Sequence, residues 1–221
     1  MKRHLDRGID KLKQNILRLS ACVENSVQLA VQSVSERNPK LAQSVVETDD
    51  EIDALEVEIE EECLQILALH QPVAIDLRFV VSVLKINNDL ERIGDEAVNI
   101  AERAIFLARN MPVDLPFDFT LMLDKSQVML RRSLDSLMNM DASLARQVGA
   151  ADDEIDDLNR QMYGHVQDSI RQNPDQVECL IHLLSVSRHL ERIADYATNI
   201  AEDVVYMIEG EIVRHKVESY Q

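Results

Sequence analysis

Residues 90–102 read LERIGDEAVNIAE and residues 190–202 read LERIADYATNIAE, identical at ten of thirteen positions. At about 100° per residue, Glu91, Asp95, Asn99 and Glu102 fall within an arc of roughly 80°. Leu90, Ile93, Ala97, Ile100, Ala101 and Ala104 occupy the opposite side. The apolar stripe is a core face, so the acidic stripe is expected on the outside of a helical bundle. The echo extends upstream: NPKLAQSVVETDDEIDAL from Asn38 corresponds to DASLARQVGAADDEIDDL from Asp141, with DDEID preserved whole. Two matched segments in the same order point to a tandem repeat.

Helical periodicity runs through nearly the whole chain. Breakers at Asn38-Pro39, Gln71-Pro72, the Met111–Pro116 stretch, Met140-Asp141 and Asn173-Pro174 cut it into six pieces. The expected helices lie near 3–36, 39–70, 73–109, 118–139, 142–171 and 175–208. Asn38 and Asn173 read as N-caps followed by proline at the first helical position, where the missing N–H costs nothing. The fold class is therefore all-α, two tandem pseudo-symmetric three-helix bundles built from six long helices. Residues 1–111 form the first repeat, 112–117 a linker and 118–221 the second repeat.

Composition supports this. The chain of 221 residues is 46% hydrophobic, with five glycines, five prolines and no tryptophan, a helical globular signature. A formal charge of −17 argues against nucleic-acid binding, which needs a basic footprint, and favours cationic partners. Cys22, Cys63 and Cys179 are odd in number and lack C-x-x-C spacing, so reduced cytoplasmic thiols are expected rather than a disulfide framework or thiolate metal site. The opening MKRHLDRGIDKLKQ has no signal-peptide core, and no stretch is apolar enough to span a membrane.

The second helix carries an acidic stripe of its own, since Asp49, Asp53, Glu56 and Glu60 fall within roughly 60°. With helices two and three antiparallel about a turn near 71–72, residue 49 lies level with about residue 94 and residue 53 with about residue 90. Asp49 and Asp53 then face Asp95 and Glu91. A turn near 173 likewise brings Asp152 and Asp156 level with Asp195 and Glu191. An acidic helix face is ordinarily just solvated. Two facing rows, repeated twice, instead favour a bound cation, because crowded unpaired carboxylates repel. All-oxygen donors suit Mg²⁺, Ca²⁺, Mn²⁺ or iron. Asn99, Glu102, Asn199 and Glu202 neighbour the eight carboxylates on their stripes and are expected to join them as metal-binding residues. The halves differ: Glu56 and Glu60 become Asn159 and Tyr163, and Asn88 becomes Arg188, so the second patch is expected to bind fewer ions or to bind them more weakly.

Other chemistries find less support. No Glu-x-x-His pair of the ferritin-like di-iron kind appears, nor a Gly-rich phosphate loop or G-x-S-x-G elbow. His70 reads as a helix-end residue, and Met122, Met129 and Met138 as core filler. The alternative function class is a carboxylate-bridged metal-dependent hydrolase or oxidase. A helical scaffold with solvated acidic faces is a third.

HQPVAIDLR at 70–78, NNDLERIGDEAVNIAE at 87–102, SRHLERIADYATNIAED at 187–203, the paired DDEID segments and the closing EGEIVRH at 209–215 together resemble the PhoU family of phosphate-specific transport system accessory proteins. The resemblance covers the whole chain. It implies a duplicated three-helix bundle with Glu/Asp-x-x-x-Asp motifs, here Asp49/Asp53, Glu91/Asp95, Asp152/Asp156 and Glu191/Asp195. These would hold divalent or trivalent metal, multinuclear iron in some members, with zinc, manganese, magnesium and calcium also admissible. It further implies a non-enzymatic, homodimeric repressor of the phosphate-starvation regulon. Its partners would be the ATPase subunit of the phosphate ABC transporter (PstB) and the phosphate sensor histidine kinase (PhoR), and it would meet the membrane only through them.

Overall fold

The computed structural model describes residues 2–114 and 117–210. Residues 115–116 of the expected linker and 211–215 of the closing motif lie outside the described residues. In the first repeat, α1 (Lys2–Ser35), α2 (Pro39–His70) and α3 (Ala74–Arg109) follow the sequence reading closely. Asn38 caps α2, its side chain accepting from the Lys40 and Leu41 N–H groups at 3.2 Å each, with Pro39 at the first helical position. Gln71 ends the helix in the left-handed region, φ 47°, its N–H donating to the Leu67 carbonyl.

The second repeat opens with α4 (Phe119–Asn139), capped by Asp118. The helix expected over 142–171 is interrupted, as α5 (Ala142–Gly149) and α6 (Asp152–Gln172). The interruption has a local cause: Gly149 is a poor helix former, and Asp152, Asp153 and Glu154 favour the positive end of a new helix. Ala150 and Ala151 stay in the right-handed region, so α5 and α6 together take the place that α2 holds in the first repeat. Asn173 is a second departure. Its N–H closes α6 on the Ser169 carbonyl at 2.8 Å, its side chain makes no cap bond, and Pro174 opens a short 3-10 turn instead. The last helix, α7 (Val177–Glu209), begins after that turn.

α1 and α2 pack on α3, and α4, α5 and α6 pack on α7. The helices bearing the opening motif, α3 and α7, pack antiparallel against each other. Arg78 Nε donates to the Met207 carbonyl at 2.8 Å, Lys85 pairs with Asp203 at 3.1 Å, and the Phe106 ring stacks on His182 with centroids 3.7 Å apart. Leu12, Ile16, Ile52, Ile59, Ile86, Leu90, Ile93 and Ile100 are fully buried in the first repeat, as are Met122, Leu130, Leu137, Leu190 and Ile200 in the second. They belong to one continuous core that passes through the α3–α7 seam. Each such side chain contributes about 1.5–3 kcal/mol on burial. Met122 and Met129 are core residues and Met138 packs against the core, as their spacing suggests. Among the described residues no helix is long and apolar enough to cross a membrane.

Candidate metal centre

The antiparallel register expected between α2 and α3 is present. Near its centre Asn87 Nδ2 on α3 donates to the Glu56 carbonyl at 2.9 Å and to Glu56 Oε1 at 3.0 Å. Two turns further along, Gly94 lies against Ile52 and Asp49. A Cβ at Gly94 would stand 3.2 Å from both Cδ1 and Cγ2 of Ile52 and 3.7 Å from Asp49 Oδ1. Glycine there lets the two helices close with their acidic stripes side by side.

Electrostatics show that the stripes meet. Burial, then Asp53, Asp95 and Asp50, push the Asp49 carboxyl up to about 6. Glu91 is raised by burial and by Asp95, Asp53 and Glu56, with Arg92 opposing. Asp95 is raised by burial, Asp53 and Glu96, again against Arg92. Glu56 joins the group, raised by burial, Glu60 and Asp53. The four residues of the two Glu/Asp-x-x-x-Asp motifs, with Glu56 beside them, thus form one mutually repelling cluster.

The second repeat assembles the matching patch from α6 and α7. Burial followed by Asp195, Asp156, Asp153 and Glu191 pushes Asp152 up to about 7. Asp195 is raised by burial and Asp156, with Arg192 opposing. Glu191 is raised by burial, Asp195 and Asp156, while Arg188 and Arg192 pull it back. At the place of the Asn87–Glu56 pair, Ser187 Oγ donates to Asn159 Oδ1 at 2.9 Å.

The remaining residues of the stripes sit further along. Asn99 is half-buried and Glu102 exposed, with Glu102 3.7 Å from Arg103. Asn199 and Glu202 line a groove of about 490 Å³ on the α3–α7 seam, opposite Lys85, Asn88, Asp89 and Arg92. Two polar residues that sequence reasoning passed over are Asn87 and Glu96. Glu96 is 2% exposed and meets His189 Nδ1 at 2.6 Å and Arg192 Nη1 at 2.9 Å. Helical phase puts Asn87 one turn before Glu91 on the same stripe and Glu96 at the border of the apolar sector, but which helix covers each of them is decided by packing.

The donors fit a hard cation. They are carboxylate and carboxamide oxygens, and Asp49, Glu91, Asp95, Asp152, Glu191 and Asp195 are raised first by burial and then by the charge of neighbouring carboxylates. The buried Asn87 Oδ1 has no hydrogen-bond partner. A thiolate ligand does not fit, because burial and then Glu62 and Glu60 push the Cys63 thiol up to about 12. Among the described residues no three acidic, histidine or cysteine side chains are already closed around a common point, so a cation would have to draw the carboxylates together.

The PhoU domain model matches this chain twice, over residues 16–104 and 119–204, once in each repeat. The chain belongs to the PhoU domain family. The phosphate-specific transport system accessory protein PhoU homolog of Aquifex aeolicus is 38% identical over 212 residues, covering 96% of each chain. The homolog of the same name from Pseudomonas aeruginosa is 35% identical over 94% of this chain and 86% of its own. The crystal structure of PhoU from Pseudomonas aeruginosa superposes with a TM-score of 0.87 at 34% identity, covering 93% of this chain and 99% of the other. That of the phosphate transport system regulatory protein PhoU from Streptococcus pneumoniae gives 0.84 at 30% identity, covering 95% and 99%. The duplicated three-helix architecture is thus shared over more than nine-tenths of this chain.

Proposed function

We propose that this chain is a regulatory accessory protein of phosphate transport. In this reading it is a cytoplasmic, non-enzymatic, homodimeric adaptor that represses the phosphate-starvation regulon when phosphate is plentiful. It docks on the ATPase subunit of the phosphate transporter and on the sensor histidine kinase. The observation that carries the reading is the PhoU match in both repeats, with relatives named as accessory or regulatory proteins aligning along nearly the whole chain. A strain lacking the gene is expected to express phosphatase constitutively in phosphate-rich medium, and the intact chain to restore repression. A well-expressed chain that leaves expression constitutive would overturn the reading.

The two acidic patches are proposed as divalent-cation sites, with Asp49, Asp53, Glu91 and Asp95 holding one and Asp152, Asp156, Glu191 and Asp195 the other. A bound cation supplies positive charge that offsets the carboxylate repulsion. The chain's own residues then do the structural work: α2 is held on α3, and α6 on α7, presenting rigid helical faces to a partner. Metal analysis of the purified chain and melting with EDTA or with added Mn²⁺ test this. Chelation is expected to lower the melting temperature and Mn²⁺ to raise it; no bound metal together with no shift sinks the metal part while leaving the regulatory part standing.

A further inference from the structure

The two patches are pseudo-equivalent in position but not in chemistry, and the difference centres on one buried side chain. Asn87 is fully buried, 0% exposed. Its Nδ2 donates to two oxygens, the Glu56 carbonyl and Oε1. Both partners are acceptors, so the orientation of the carboxamide is chemically determined and the oxygen is the free end. That oxygen, Oδ1, is buried without a hydrogen-bond partner, whereas buried polar atoms are nearly always satisfied. The two heteroatoms of a carboxamide are roughly 2.2 Å apart, so Oδ1 lies within roughly 5 Å of Glu56 Oε1. Asn87, Glu91 and Asp95 follow one another at four-residue intervals along α3, about 40° apart, so Asn87 stands one turn along the helix from Glu91. Glu56 itself is electrostatically coupled to Glu91 and Asp53.

The second patch has neither feature. Ser187 stands where the first repeat has Asn87, and its hydroxyl is engaged with Asn159 Oδ1 and the Leu184 carbonyl, each at 2.9 Å. Asn159 replaces Glu56 and Arg188 replaces Asn88. Arg188 and Arg192 both act on Glu191 as local positive charges, so part of the second patch is neutralised from within.

We propose that Asn87 sets the order of the two cation sites: it positions Glu56 and adds a neutral oxygen to the first patch, making that patch the tighter site and the second the weaker. Hard divalent cations such as Mn²⁺ and Ca²⁺ accept carboxamide oxygens alongside carboxylates, whereas a fixed arginine beside a carboxylate competes with an incoming cation. The inference rests on the cation reading of the patches.

The experiment is Mn²⁺ titration of the full-length chain, followed by electron paramagnetic resonance and calorimetry. Wild type is expected to show a tight and a weak class of site. Asn87→Ser, which installs the residue of the second repeat, is expected to weaken the tight class at least tenfold and leave the weak class unchanged. The weak class and the helical circular dichroism then report that the variant is folded. The transplant Ser187→Asn with Asn159→Glu and Arg188→Asn, made on an intact first repeat, is expected to tighten the weak class toward the tight one. If wild type binds in two classes but both variants leave them unaltered, the Asn87 inference is overturned and the cation reading survives; a trapped water at Oδ1 would behave this way. If wild type binds no more Mn²⁺ than a chain with Asp49, Asp53, Glu91, Asp95, Asp152, Asp156 and Asp195 changed to Asn and Glu191 to Gln, both fall together.

Discussion

Asp152 carries the largest pH consequence of burying and crowding these carboxylates. Its folded value of about 7 exceeds the ordinary 3.8, so between these values the folded chain retains a proton that the unfolded chain has released. Stability of the metal-free protein therefore declines as pH rises through that window and levels off above it. Asp49, raised to about 6, adds the same sign over a narrower window. Asp152 is half-exposed, so after discounting for solvent screening its share is on the order of 1 kcal/mol, or about 2–4 °C in a chain of this size. Melting curves in EDTA across this window should show the decline, and Asp152→Asn should flatten it. Gly94 gives a second test at this scale. Gly94→Ala gains about 1 kcal/mol of helix propensity, but its Cβ meets the buried, β-branched Ile52 at 3.2 Å on two atoms. Overpacking of this kind costs about 1–3 kcal/mol, so a net loss of about 1 kcal/mol is expected in urea unfolding. Weaker Mn²⁺ binding should accompany it as α2 is pushed off α3.

At the level of elements, the two Asn-Pro pairs look alike in sequence and behave differently in the fold. Asn38 satisfies two N–H groups of α2, whereas the side chain of Asn173 makes no cap bond. Asn38→Ala should therefore cost about 1 kcal/mol, and Asn173→Ala only a few tenths, as measured by denaturant midpoints. The cap motif was legible in the sequence; its use was not. α6 ends on the Asn173 backbone and the chain passes through a 3-10 turn before α7 begins, an arrangement set by how the two helices meet. The break between α5 and α6, by contrast, has a local cause. Its Gly-Ala-Ala followed by three acidic residues is visible in the sequence, and the first repeat, with Val46 in place of Gly149, runs straight through the corresponding segment.

Across the whole molecule the two repeats share one core, and the α3–α7 seam is where they join. Its charged centre is Glu96, buried against His189 and Arg192, while Tyr196 occupies the pseudo-equivalent position. Removing one partner of a buried pair leaves the others desolvated, at about 3–5 kcal/mol for a fully buried case. Arg192 is half-exposed, so Glu96→Ala should cost about 2 kcal/mol by that reckoning. A continuous core also predicts that both repeats unfold together: urea transitions followed by circular dichroism and by probes placed in either half should coincide for this variant as for wild type. A variant in which one half melts ahead of the other would show that the Glu96 ion pairs, rather than the shared core, couple the repeats.

The sequence by itself determined the helical class, the duplication and the pairing of LERIGDEAVNIAE with its DDEID segment. Those follow from periodicity and register, which depend only on residue spacing along a helix of known pitch. The eight carboxylates were legible for the same reason: helical phase and a turn position place them before any contact is known. Glu96, Asn87 and the position of Asn199 and Glu202 on the seam required the tertiary structure. A polar side chain at the edge of an apolar sector faces solvent or a partner according to which helix packs there, and no spacing within one helix decides that. The difference between the patches divides in the same way. Asn159 and Arg188 could be read from the chain, but packing α2 against α3 is what leaves one carboxamide oxygen of Asn87 buried and unpartnered beside Glu56.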